Sequence, residues 1–420
     1  MKLRIFILFL FLPLLRAQAS VIDSLMTHPR DSIGLTSDSL VLHFLEESGI
    51  PISDNNKVKL LKSGREKFID LFEAIRQAKH HVHLEYFNFR NDSIANALFA
   101  LLAEKVKEGV EVRAMFDAFG NWSNNQPLKK RHLKKIREQG IEIVKFDPFT
   151  FPYINHAAHR DHRKIVVIDG NVAYTGGVNL ADEYINAEQR FGYWKDAAIR
   201  LEGAAVWNFT VIFLNCWNAF RPQETDYAPF APTHLPESSD GVVQPYTDSP
   251  LDEEPLAETV YLNILAQAQR YVYIYTPYLA VGEEMLDALK TAAKRGVDVR
   301  LVLPGIPDKK LVFRLSRSYY VPLLRAGVRI YEYTPGFLHA KCYVSDDHLA
   351  VVGSINMDYR SLFLHFECGA LLYSNSQVIA LREDVLATLP QCREVQLSDC
   401  RTSLPGTLLD SVLRLLSPLL

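Results

Sequence analysis

This chain of 420 residues predicts an α/β fold made twice over: two mixed-sheet halves with helices on their faces, related by a pseudo-twofold axis, with one site between them. Three observations carry that expectation. Segments of helix-like period pass into dense β-branched and aromatic runs, in the same order in both halves of the chain. The glycine pairs Gly109 with Gly296 and Gly140 with Gly327 keep one common spacing. A long pattern, H-x-K-x4-D-x6-G-[GS]-x-N, occurs once in each half, at equivalent places.

The elements follow in order. LFEAIRQAKHHVHLEYFNF (71–89) matches YLNILAQAQRYVYIYTPYL (261–279), a helix running into a buried strand. EKVKEGVEVRAMFD (104–117) matches TAAKRGVDVRLVLP (291–304), where Gly109 and Gly296 end the helix and Val-x-Val-Arg opens a strand. GIEIVKFDP (140–148) matches GVRIYEYTP (327–335), each after a basic helical segment. Helices alternating with buried strands belong to a sheet covered on both faces. The expected organisation is a first half over 57–220, a polar, proline-bearing linker or surface loop over 221–255, and a second half over 256–400. An extension (20–56) precedes them, and an amphipathic helix (401–420) follows.

At the amino end, Lys2 and Arg4 precede an apolar run from Ile5 to Leu15 and then Ala17-Gln18-Ala19, the pattern of an export signal over residues 1–19. The run is short of the ~20 residues that a spanning helix needs, although an uncleaved anchor is the alternative. The expectation is therefore an exported protein of the cell envelope, periplasmic or peripheral on the membrane. At the other end, GTLLDSVLRLLSPLL (406–420) has only Asp410 and Arg414 charged, and suits either a bilayer interface or a final packed helix. Cys216, Cys342 and Cys368 lie in apolar stretches and read as buried thiols. Cys392 and Cys400 sit close together in a polar segment, paired or free.

Composition narrows the function. A 48% hydrophobic chain of this length is globular. With 46 basic and 49 acidic residues the net charge is −3, which offers nucleic acid no overall attraction, so any anion site must be local.

The repeated pattern reads HRKIVVIDGNVAYTGGVN from His162 to Asn179 and HAKCYVSDDHLAVVGSIN from His339 to Asn356. His and Lys two apart on a strand face the same way, so each half offers one imidazole and one ammonium to the same volume. Together His162, Lys164, His339 and Lys341 are expected to surround one phosphodiester. Lys164, Lys341, Asn179 and Asn356, with the Ser354 hydroxyl that Gly177 lacks, would hold its non-bridging oxygens. Such donors match the charge that builds at phosphorus during displacement. One neutral imidazole attacks phosphorus while the opposite imidazolium protonates the departing alkoxide, then activates the acceptor. Two lysines and an imidazolium supply the positive charge a two-metal site would otherwise provide, so the scheme demands no metal and no other cofactor.

A nucleophilic imidazole needs its other nitrogen held, usually by a carboxylate. Asp196, in WKD, and Glu367, in HFE, follow the motif histidines at similar places in the two halves and are expected to be the imidazole orienters. Asp169 and Asp346 lie an odd number of residues from the motif histidine, so they face away and read as structural, fixing the turn before the next strand. His156, His159, Arg160 and Asp161 lack a suitable acidic or cysteine partner set for a metal and read as a loop beside the site. His80, His81 and His83 read as packed or exposed side chains. The basic run LKKRHLKKIRE (128–138) reads as a solvated helix face rather than a binding patch.

On these residues the chain resembles the phospholipase D superfamily, and more closely the bacterial cardiolipin synthases. The resemblance runs from about Lys57 to Leu420. Beyond the two motifs it rests on EYFNFRND, YIYTPYL, AAKRGVDVRLVLP, LLRAGVRIYEYTPGFLHAK and GSINMDYRSLFLHFE. It implies a duplicated phospholipase D fold and a membrane partner, phosphatidylglycerol with other anionic lipids possible, and no nucleic acid. The implied reaction moves the phosphatidyl group of one phosphatidylglycerol onto a histidine, releases glycerol, and transfers the group to a second phosphatidylglycerol. The resemblance favours His162 as nucleophile. Typical relatives carry two membrane-spanning helices at the amino end where this chain has a signal-like segment, so its mode of membrane attachment stays open. The competing functions are hydrolysis of phospholipid or nucleic-acid phosphodiesters by the same site, or a silent binding protein. The last would require the loss of a motif residue, and none is lost. Oligomeric state is not read from the chain.

Overall fold

The structure is a computed structural model, and it describes residues 39–147, 158–252, 254–401 and 403–419. The export-like segment and His156 lie outside these residues.

The first half opens with helix α1 (Leu40–Glu47), strand β1 (Asn56–Leu61), α2 (Gly64–Gln77), β2 (His81–Tyr86), α3 (Ser93–Lys107) and β3 (Glu111–Asp117). It continues with α4 (Ala118–Ser123), α5 (Lys130–Glu138), β4 (Glu142–Phe146), β5 (Arg160–Asp161), β6 (Lys164–Ile168), β7 (Val172–Gly176), β8 (Ala198–Gly203) and α6 (Val206–Phe220). The second half runs β9 (Val242–Asp248), α7 (Leu256–Gln267), β10 (Tyr271–Tyr275), β11 (Leu279–Ala280), α8 (Glu283–Lys294), β12 (Asp298–Pro304), α9 (Lys310–Ser318), α10 (Tyr320–Ala326) and β13 (Arg329–Tyr333). It ends with β14 (Cys342–Ser345), β15 (Leu349–Gly353), β16 (Met357–Asp358), α11 (Tyr359–Phe363), β17 (His365–Tyr373), α12 (Ser376–Thr388), β18 (Cys392–Glu394) and α13 (Leu404–Leu415).

Strand order makes the duplication explicit. The first sheet reads β1-β8-β7-β6-β2-β3-β4, and the second reads β9-β17-β15-β14-β10-β12-β13 with β18 added at its edge. Each parallel or antiparallel pairing in one has its counterpart in the other: β2 lies parallel to β3 and antiparallel to β6, as β10 does to β12 and β14. The stretch expected as a linker therefore contains a strand. β9 pairs with β17 over seven residues, so the second unit starts with β9 as the first starts with β1. Pro245 lies within β9. Proline removes a ladder donor and is tolerated where a strand pairs on one side only.

Residues 39–56 of the extension also join the fold. Val41, Leu42 and Leu45 of α1 are fully buried, in the core cluster of the second half with Val272, Ile274 and Leu301. A third cluster is shared by the two sheets: Ile165, Val167 and Ile199 pack with Val344, Ala350 and Val352. This common core joins the halves, at ~25 cal/mol for each Å² of apolar surface removed from water.

Local chemistry sets the element ends. Ser63 caps α2 and Asp92 caps α3, each accepting a backbone N–H in the first turn. Asp169 and Asp346 hold matching left-handed conformations, both at φ 53°. The Asp169 carboxylate accepts the N–H groups of Lys79, His80 and His81, and Asp346 those of Gln269, Arg270 and Tyr271. Each thus ties the motif turn to the point where a helix ends and the central strand begins.

Two open expectations resolve. Cys392 and Cys400 are free thiols, because they join different cores: Cys392 packs on the cluster shared by the sheets and Cys400 on that of the second half. Helix α13 buries Leu413 against the body and ties Asp410 to Arg314 at 2.7 Å, yet leaves Leu404, Leu408 and Leu415 outward.

Candidate active site

Each motif histidine stands just ahead of its strand rather than inside it, since β6 begins at Lys164 and β14 at Cys342. Its backbone N–H is thereby free to bond across to the other half. The His162 N–H donates to the Phe366 carbonyl at 2.9 Å, where β5 runs parallel to β17. The His339 N–H donates to the Lys195 carbonyl at 2.7 Å, beside the parallel bridge between Lys195 and Leu338. Phe366 and Lys195 immediately precede Glu367 and Asp196.

These two bridges decide which carboxylate meets which imidazole. His162 Nδ1 lies 2.8 Å from Glu367 Oε1, and His339 Nδ1 lies 2.8 Å from Asp196 Oδ2. Each carboxylate thus meets the histidine of the opposite half: the pairing is crossed. The inter-half bridges bring the residue after Phe366 or Lys195 to the opposite ring. With Nδ1 engaged by a carboxylate, the proton sits on Nδ1 and each Nε2 presents a lone pair.

The remaining motif residues gather around this arrangement. The Lys164 ammonium donates to the His162 carbonyl and the Lys341 ammonium to the His339 carbonyl. Gly177 of the first motif backs onto the second: a Cβ there would meet Asp196 Oδ1 at 2.2 Å and the His339 carbonyl oxygen at 2.9 Å. Asn179 Nδ2 donates to the Tyr184 hydroxyl at 2.7 Å, and the Oδ1 atoms of Asn179 and Asn356 are buried without a partner. Ser354, expected on the substrate phosphate, is committed elsewhere. Its hydroxyl donates to Glu367 Oε2 at 2.5 Å and accepts the Cys368 N–H at 3.0 Å, because the turn after β15 aims it at the carboxylate.

Several contributors gave no sequence signal of their own. Ser361 Oγ donates to Glu367 Oε1 at 2.7 Å, and His365 Nδ1 lies 3.7 Å from the same oxygen. Both fall within the string that carried the family resemblance, but nothing in their spacing marks them. Phe87 meets the His162 ring edge-on at 5.0 Å, and Tyr184 meets His339 in the same way at 5.3 Å. Lys67 on α2 is fully enclosed, donating to the Tyr86 hydroxyl at 2.5 Å and the Val178 carbonyl at 3.3 Å.

Burial dominates the electrostatics. It lowers His162 well below the usual imidazole range, and His339 to about 4. It lowers Lys164 to about 8, Lys341 to about 7 and Lys67 to about 7. For Glu367 burial acts upward, but the His162 charge and hydrogen bond outweigh it and hold the group below the ordinary carboxylate range; His339 does the same for Asp196. The site thus combines two ionised carboxylates, two largely neutral imidazoles and lysines near neutrality, a set that an incoming anion would charge further. His159, Arg160 and Asp161 sit beside it; Asp161 accepts from Arg163 Nε at 3.0 Å. His83 is buried, stacked on Phe213.

Comparison with known proteins identifies the family. The model of the cardiolipin synthase phospholipase D-like domain matches twice, over residues 71–193 and 261–387. A Streptococcus mutans protein of uncharacterised function is 44% identical over 91% of this chain and 82% of its own length. A cardiolipin synthase of Halalkalibacterium halodurans is 39% identical over 88% of this chain and 73% of its own. The crystal structure of a Haemophilus influenzae phosphatidylserine synthase superposes with a TM-score of 0.67 at 16% identity, covering 92% of this chain and all of that one, a likeness of fold. Two matches to one domain model, together with a cardiolipin synthase 39% identical over most of both chains, place this chain in the phospholipase D-like family of the cardiolipin synthases.

Proposed function

We propose that this protein transfers a phosphatidyl group from one phosphatidylglycerol to another, forming cardiolipin and releasing glycerol. The observation that carries the reading is the crossed pairing, which gives two imidazoles the same tautomer and a free Nε2 within one site. His162 Nε2 attacks phosphorus, the bond to the head-group glycerol breaks, and His339 gives the leaving oxygen its proton. A second phosphatidylglycerol then loses its hydroxyl proton to His339, attacks phosphorus and breaks the P–N bond. Lys164, Lys341, Asn179 and Asn356 stabilise the charge gathered on the non-bridging oxygens. Asp196 and Glu367 hold the rings, and Asp169 and Asp346 hold the turns behind them.

The unequal surroundings of the two carboxylates support His162 as nucleophile. Glu367 shares its charge among His162, Ser354 and Ser361, so it supports an imidazolium less than Asp196, whose other hydrogen bond comes from the Ala197 N–H. The ring facing Glu367 therefore stays neutral, and the ring facing Asp196 more readily carries the proton. Export to the cell envelope is part of the proposal and rests on the pattern of residues 1–19. Among the described residues no helix is long and apolar enough to cross a membrane.

The test is incubation of the purified protein with labelled phosphatidylglycerol in mixed micelles, followed by lipid and glycerol analysis. Cardiolipin with an equal amount of glycerol supports the reading. Phosphatidic acid as the only lipid product would replace it with hydrolysis by the same site.

A further inference from the structure

A site that handles two lipids needs its mouth held at a lipid surface, and the exposed side chains beside the site have that chemistry. Helix α4 leads away from the first imidazole. Gly120 of α4 packs so closely on the Phe87 carbonyl that a Cβ would meet it at 2.1 Å, and Phe87 is the ring against His162. One residue before it and two after, α4 turns aromatic rings outward: Trp122 is 75% exposed and Phe119 40%, in contact with each other at 5.7 Å. The other tryptophans, Trp194, Trp207 and Trp217, are buried.

The pseudo-twofold puts a second apolar surface at the matching place. In the first half α4 and α5 connect β3 to β4; in the second, α9 and α10 connect β12 to β13, and α13 packs on α9. Here Leu404 is 88% exposed, Leu408 69% and Leu415 80%. The loop before α9 reaches the second imidazole through Asp308, which accepts from the Tyr278 hydroxyl at 2.7 Å, then through Phe337, which lies between Tyr278 and His339. Exposed apolar groups thus stand on the connections that lead to both imidazoles, where a lipid surface would cover them.

Charge identifies the partner. The start of α5 holds exposed Lys129, Lys130 and Arg131 with no acid in its first turn, although the positive end of the helix dipole disfavours cations there. An anionic surface relieves that conflict, and Trp and Lys side by side are the residues that favour a headgroup boundary. We infer that α4 with the start of α5 on one side, and α13 on the other, dock the mouth of this site onto an anionic phospholipid bilayer. The inference rests on the proposed lipid substrate but is tested apart from it.

Trp122 is a built-in reporter. In the full-length His162→Asn variant, which cannot turn lipid over, phosphatidylglycerol vesicles should shift tryptophan emission to the blue, and brominated acyl chains should quench it. Phosphatidylcholine vesicles should do so at least tenfold less effectively. Trp122→Phe should abolish the shift. Emission unchanged by phosphatidylglycerol vesicles, or a shift that survives Trp122→Phe, would overturn the assignment even if cardiolipin forms. In the active protein, Trp122→Ser with Leu408→Ser should lower the ratio of turnover on vesicles to turnover on short-chain monomeric phosphatidylglycerol about tenfold. An unchanged ratio counts against docking, whereas failure to make cardiolipin at all counts against the function alone.

Discussion

The two halves share a strand order and a motif, yet they do not furnish their carboxylates alike. The second half offers Glu367, long enough to accept from Ser354 and Ser361 as well as from His162. The first offers Asp196, one methylene shorter, packed on Gly177 where a serine would not fit. The difference teaches that duplication produced a symmetric cradle and that a few side chains then divided the labour between two otherwise equivalent imidazoles.

The sharpest way to break this comparison is to remove each ring. His162→Ala and His339→Ala should each lower kcat by about 10³-fold or more, the scale for loss of a covalent nucleophile or its proton partner. They should part with a substrate whose leaving group needs no proton. On phosphatidyl-p-nitrophenol, His339→Ala should still give a burst of p-nitrophenol, and His162→Ala none. A burst in the reverse pattern would exchange the two roles.

Next in size are the carboxylates. Glu367→Gln and Asp196→Asn should each cost on the order of 10²-fold in kcat with little change in KM, because the ring keeps its place but loses the partner that fixes its tautomer and stabilises its charged form. Imidazole N–H resonances test the crossing itself. Glu367→Gln should move the His162 Nδ1–H signal and leave that of His339 in place; movement of the His339 signal alone would contradict the crossed pairs.

How much of this was legible beforehand follows from the kind of signal each residue carries. His162, Lys164, His339 and Lys341 were legible because a motif repeated in register is information no single histidine holds. Asp196 and Glu367 were legible as orienters, but the crossing was not, since it depends on backbone bridges at Phe366 and Lys195 that leave no mark in the sequence. Strand β9 was hidden by its proline and polar neighbours, which read as a loop until its pairing with β17 is seen. Ser354 looked like a phosphate ligand because the motif groups it with Asn356, whereas its rotation toward Glu367 is set by the turn. Lys67, Ser361 and His365 act singly, and a lone buried residue has no period or spacing to announce it.

The pH profile comes third. Deprotonation of Lys164 and Lys341, lowered to about 8 and about 7, removes positive charge from the phosphate site, so kcat/KM, which reports the free enzyme, should fall as pH rises through that range. The need for a proton on His339 acts in the same direction. Only the need for a neutral His162 opposes it, at the acid end. Activity should therefore be higher at pH 6.5 than at pH 9 by at least about tenfold, the margin that the titration of Lys164 alone would give. A profile flat to pH 9 would show that neither lysine titrates within reach of the substrate.

The smallest effect tests the asymmetry most directly. Ser354→Gly gives the second half the residue of the first and takes one donor from Glu367 Oε2, leaving a buried carboxylate oxygen without it at a cost of about 1–3 kcal/mol. Ser361 and the ring still hold Oε1, so activity should fall only several-fold. A carboxylate with fewer donors supports an imidazolium better, so the His162 Nδ1–H resonance should report a ring that takes up a proton at higher pH than in the parent. The reverse exchange, Gly177→Ser, should not mirror it. The new Cβ would stand 2.2 Å from Asp196 Oδ1, and moving that oxygen pulls the support away from His339. Equal effects from the two exchanges, in thermal unfolding and in turnover, would mean that the halves are interchangeable and that the division of labour lies elsewhere.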